Sequence, residues 1–134
     1  MVDFIEKVKK SNKFIFIIED NNLERLSKLV EEYTEALTKT AKHFKGNSLI
    51  TNIDALTDTD TTPTQYVLAI TEIEATPSKY VKHISSLIGR RVIKQFRTIL
   101  PVTNRDILMD TFKDTPLIQY IKTYGVVIKG GKDE

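Results

Sequence analysis

Apolar residues recur along this chain in two rhythms, one of strand type and one of helix type. Phe14, Ile15, Phe16, Ile17 and Ile18 form an unbroken β-branched and aromatic run without polar alternation, which predicts a central strand covered on both faces. Leu23, Leu26, Val30, Tyr33, Leu37, Ala41 and Phe44 instead recur every three or four residues. That spacing predicts a helix opened by the capping-box pair Asn21 and Glu24 and closed by Gly46. Ahead of both, Asp3 with Glu6 and the stripe Phe4, Ile5, Val8 predict a brief helix over residues 3–10. Residues 48–56 and 65–74 predict two further strands. The Thr/Asp-rich stretch 57–64 between them suggests a β-hairpin with a longer loop.

Thr76 as N-cap and Pro77 at the first helical position predict a long helix over residues 78–100, closed by Pro101. Two short helices follow at 106–113 and 116–124, the second capped by Thr115 and ended by Gly125. A last strand at 126–129 precedes a frayed tail at 130–134, so one domain over residues 1–129 is expected. Setting aside the leading helix and the inserted pair, this is the split βαβ order of a ferredoxin-like sandwich. The expected class is therefore α+β, an antiparallel sheet with helices on one face. The strands starting at Phe14 and Gln65 are apolar on both sides, so the second face needs cover from the extra helices or from another subunit, which points to a homodimer through the sheet face.

A length of 134 residues suits one domain, and 40% hydrophobic with 28% charged residues argues against a disordered or fibrous chain. The absence of cysteine excludes disulfides, thiolate zinc sites and cysteine nucleophiles. It fits a reducing compartment, and with no signal-like or membrane-length apolar run the expectation is a cytoplasmic protein with no membrane partner.

The net charge of +2 conceals an asymmetry. No acid lies between Glu74 and Asp106, whereas Lys79, Lys82, Arg90, Arg91, Lys94, Arg97 and Arg105 do, leaving an acidic remainder of thirteen basic against eighteen acidic residues. On a helix over 78–100, Lys79, His83, Ser86, Arg90, Lys94 and Arg97 fall on one face, opposite Val81, Ile84, Ile88, Val92, Phe96 and Ile99. Phosphates attract such a stripe through counterion release, and arginine adds bidentate geometry. The leading expectation is thus a non-enzymatic binding domain for nucleic acid or another polyanion, with Lys79, Lys82, His83, Arg90, Arg91, Lys94 and Arg97 as contacts. The bland alternative is that acids from elsewhere pair with the stripe. Phe14, Phe16 and Tyr66 belong to the core, because a basic helix would lie behind the sheet, away from their rings.

A second expectation is a structural or protein-interaction role, with an acidic protein as one partner. A third is a magnesium-dependent nuclease or nucleotidyl enzyme. In a split βαβ fold the first strand would end beside the hairpin loop, bringing Glu19 and Asp20 towards Asp58 and Asp60, and clustered carboxylates are what magnesium requires. No cofactor motif is present. Gly130 and Gly131 lack the strand-to-helix context of a phosphate cradle, and His43 and His83 sit on different helices without metal-ligand spacing.

Overall fold

The fold is taken from a computed structural model, which describes residues 2–41, 47–57 and 61–130. Helix α1 (Val2–Lys9) leads into β1 (Ile15–Glu19), α2 (Leu23–Thr38) and β2 (Ser48–Asn52). A single turn of helix, α3 (Asp54–Thr57), precedes β3 (Val67–Thr71). Two 3₁₀ turns, Ile73–Ala75 and Ser78–Tyr80, introduce α4 (Val81–Ile93), followed by β4 (Arg97–Val102), α5 (Arg105–Thr111), α6 (Leu117–Tyr124) and β5 (Gly125–Lys129).

All five strands run parallel, in the order β2-β3-β4-β1-β5. This is an α/β sheet, and the expected antiparallel ferredoxin-like sandwich does not form. The physical reason lies in residues 94–102. Although the helical apolar spacing runs on through Phe96 and Ile99, α4 ends at Ile93, Gln95 takes a left-handed backbone (φ 62°), and residues 97–102 then form a strand in which every residue is buried. The stretch expected as one helix over 78–100 is therefore a helix followed by a central strand. β4 lies between β3 and β1, and the connection after β2 crosses back over the sheet, so the expected hairpin is instead a parallel pair, Ser48 opposite Val67 and Asn52 opposite Thr71.

Pro101 was expected to stop a helix, yet it sits inside β4. Arg97 donates its N–H to Tyr66 on the β3 side, whereas Thr98 donates to Phe14 on the β1 side. By alternation the missing N–H of Pro101 faces β3, where the β3–β4 ladder has already ended at Ala69 and Ile99. Proline costs β4 no hydrogen bond there, and it parts the two strands at their carboxyl ends.

Connections between parallel strands share one hand, so the direction of each move across the sheet decides which face its helix covers. From β1 to β2 the chain moves one way, and every later crossover moves back. Accordingly α1 and α2 cover one face, where Val8, Leu26, Val30 and Leu37 pack on Phe16, Ile18, Val67, Ala69 and Ile99. Helices α4, α5 and α6 cover the other, placing Ile84, Leu87, Ile88, Leu108, Phe112 and Leu117 on Ile15, Ile17, Leu68, Ile70 and Leu100. Each such aliphatic side chain contributes about 1.5–3 kcal/mol on full burial. The two-sided apolar character of β1 and β3 is thus met by helices within the chain, as parallel sheets require.

Remaining differences are local. Asn22, rather than Asn21, caps α2, its side chain accepting the Arg25 N–H at 2.9 Å. The helix ends at Thr38, and the expected extension through Phe44 to Gly46 lies outside the described residues. The expected tail begins ordered: Gly130 donates its N–H to the Glu19 carbonyl at 2.8 Å, and a Cβ on it would stand 2.3 Å from Asp20 Oδ2.

Candidate functional site

The basic stretch divides into an exposed set and a buried set. Lys82 and Arg90 are exposed on α4, Lys94 caps its carboxyl end, and Lys79 lies in the preceding 3₁₀ turn, its ammonium 5.1 Å from the centre of the Tyr80 ring. Arg90 donates from Nε to Thr62 Oγ1 at 2.6 Å. Lys79 and Lys82 share a hollow with Asp110, Lys113 and Asp114, in which Asp110 lies 3.7 Å from Lys113. His83 is half-buried, and its Nε2 has no hydrogen-bond partner.

Arg91 and Arg97 point inward instead. Arg91 is fully buried and donates to Thr98 Oγ1 at 2.9 Å and to the carbonyls of Pro63, Gln65 and Arg97 at 2.8, 2.9 and 2.8 Å. Burial pulls its pKa from 12.5 down to about 10. Arg97, on β4, donates to Tyr66 Oη and to the carbonyls of Lys13 and Val8, with its guanidinium 4.8 Å from the centre of the Phe14 ring. These two side chains tie the amino-terminal ends of the strands to α1 and the approach to β3. The single face expected to hold Lys79, His83, Arg90, Lys94 and Arg97 does not exist as such, because Arg97 belongs to another element.

Of the four carboxylates expected to meet around magnesium, the described residues include two. Glu19 and Asp20 lie at the carboxyl end of β1. With β2 and β3 parallel, the connection between them leaves from that edge and returns to the opposite one before β3 begins, so it is a crossover and not the expected hairpin loop. Asp58 and Asp60 lie outside the described residues. Glu19 accepts the Arg105 N–H at 2.8 Å. Asp20 accepts Arg25 Nε at 2.5 Å and Nη2 at 3.0 Å, and the Asn22 N–H at 2.9 Å. The Arg25 hydrogen bonds first, and the Asn22 N–H second, hold its carboxyl below the usual value of 3.8. Among the described residues, no group of three potential metal ligands comes together.

Asp20 has a further consequence at the start of α2. Ligand anions in parallel α/β sheets bind where a helix N-terminus meets the carboxyl ends of the strands. Here the chain's own carboxylate takes the backbone N–H and the guanidinium that a phosphate would use. Beside Pro101, where β3 and β4 part, a cavity of about 210 Å³ has Leu23, Leu26 and Val30 as apolar walls and Glu31, Glu72 and Glu74 among its lining. Glu72 holds a left-handed backbone (φ 59°) and accepts Asn52 Nδ2 at 2.6 Å, while Glu74 accepts the Thr103 N–H at 3.2 Å.

The feature that the sequence pattern did not expose is the outer edge of β2. Among the described residues this strand pairs with β3 alone, and Ser48, Leu49 and Ile50 are all exposed, Leu49 at 38% and Ile50 at 44%. Val67 donates to the Asn47 carbonyl and Ile53 to the Thr71 carbonyl, so odd-numbered residues face β3. By alternation Ser48, Ile50 and Asn52 turn their N–H and C=O groups outward. Edge strands are commonly blunted by charge, proline or a bulge, and residues 48–52 carry no charge and no proline. Alongside runs an open groove of about 660 Å³ between α2 and β2, whose lining includes Glu31, Glu35, Thr34 and Ile50. Thr34 is 6% exposed, and its Oγ1 has no hydrogen-bond partner. The uncharged run Ser48 to Asn52 beside the acid-rich Glu31, Glu32 and Glu35 was the only available signal, and it needs the strand order to acquire meaning.

Comparison with protein-family models and with curated proteins finds no match. Among the described residues, no helix is long and apolar enough to cross a membrane.

Proposed function

We propose that this chain is a non-enzymatic interaction domain that receives an additional β-strand on the outer edge of β2. The observation carrying this reading is the row of outward backbone groups at Ser48, Ile50 and Asn52, on an uncharged strand beside an open groove. Strand addition takes its affinity from main-chain hydrogen bonds and its selectivity from the alternate side chains of the incoming segment. The discriminating substitution is Ile50→Pro. It removes one outward N–H while leaving the bonds to β3 intact, and prolines are tolerated at such edge positions. Extended heptapeptides titrated into the labelled chain should perturb amide resonances along residues 47–53, and Ile50→Pro should abolish the response. Perturbations centred elsewhere, or unaffected by the substitution, would refute the reading.

A second reading, polyanion binding, is supported by the exposure of Lys79, Lys82, Arg90 and Lys94 and by the absence of acids from α4 itself. It makes Lys79, Lys82, Arg90 and Lys94 the phosphate contacts and predicts weak, sequence-independent, salt-sensitive affinity for DNA or RNA.

A further inference from the structure

Resting on the strand-addition reading, we infer that the segment received by β2 belongs to another protein and alternates lysine or arginine with apolar residues. A strand paired to the outer edge of β2 places every second side chain on the α2 side, over Ile50 and into the groove. That groove carries Glu31 and Glu35, and Lys39, the cation among its described lining residues, already lies 3.5 Å from Glu35. At its inner end it adjoins the cavity that holds Glu72 and Glu74, the two spaces sharing Glu31 and Ile50. A long cationic side chain suits this place chemically. Its methylene stem covers Ile50 and its head reaches the carboxylates, with Thr34 Oγ1 as a further polar atom in the groove. The intervening side chains fall on the opposite face, beside the half-exposed Leu49, and so are apolar. Charge also argues against a second copy of this chain, since Ser48, Leu49, Ile50, Thr51 and Asn52 would bring no cation to these acids.

The test uses the full chain and three probes: a heptapeptide alternating lysine with valine, the same peptide with glutamate for lysine, and the chain itself at rising concentration. The inference expects the lysine peptide to bind and the glutamate peptide to bind at least about tenfold more weakly. It expects Ile50→Pro to abolish binding, and Glu31→Gln combined with Glu72→Gln to weaken the lysine peptide about fivefold, as two exposed ion pairs provide. Equal binding of both peptides, each lost in Ile50→Pro, would overturn the charge inference and leave strand addition standing. Lysine-peptide binding that survives Ile50→Pro would overturn both. A concentration-dependent dimer in sedimentation, broken by Ile50→Pro, would show that the edge receives a second copy and would also overturn the inference.

Discussion

Replacing Arg91 with methionine separates a structural role from a phosphate-binding one. The side chain is 0% exposed, and its guanidinium supplies donors to Thr98 Oγ1 and to the carbonyls of Pro63, Gln65 and Arg97. Methionine fills a similar volume but donates nothing, so four oxygens lose a partner. Each unsatisfied buried group costs about 1–3 kcal/mol. Against this stands the relief of burying a cation: the fall in pKa to about 10 corresponds to a penalty of about 3 kcal/mol on the charged form. With about 2 kcal/mol for each of the two buried acceptors and about 1 kcal/mol for each of the two half-buried ones, the balance is a loss of about 3 kcal/mol, at the lower end of the range for removing one member of a buried charged network. Urea unfolding followed by far-ultraviolet circular dichroism measures it directly. Arg91→Lys, which retains the charge but presents three donors from a single point, should lose roughly half as much. The sign of the pH dependence is fixed as well. Because folding lowers this pKa, the penalty is present in full below about pH 10 and fades above it, so Arg91 contributes a rise in stability above about pH 10, which Arg91→Met lacks. A methionine variant within about 1 kcal/mol of the parent would refute the reasoning.

Three other outcomes are expected. Gly125→Ala places a Cβ 2.4 Å from the backbone carbonyl oxygen of Ile121, where α6 passes directly into β5, so it should destabilise by about 1–3 kcal/mol, read as a lowered Tm. Asp20, whose carboxyl is held below 3.8 by Arg25 and the Asn22 N–H, contributes stability that is present above that value and lost as pH falls through the lower folded one; Asp20→Asn should therefore flatten the acid limb of the stability profile. Changing Lys79, Lys82, Arg90 and Lys94 together to glutamine should leave folding intact. If the polyanion reading holds, it should also lower the salt slope of DNA binding by about three to four, and an unchanged slope measured by fluorescence anisotropy would dispose of that reading.

Local signals in the sequence were sufficient for elements whose pattern is self-contained. The run Ile15 to Ile18 is a central strand, α2 carries the stripe Leu26, Val30 and Leu37 in its buried face, and α6 and β5 meet near Gly125 as the glycine suggested. The basic character of residues 79–97 was equally visible, since charge is a property of composition.

Only the tertiary structure decided how those elements combine. Whether Arg97 to Val102 continues a helix or forms a strand depends on its place between β3 and β1, because strand preference reflects burial and neighbours more than intrinsic tendency. That single choice placed a parallel strand between β3 and β1 and drew Arg97 into the interior. Burial, strand order and edge exposure are relations between residues far apart in the chain, and a periodicity of two or of 3.6 residues carries no information about them.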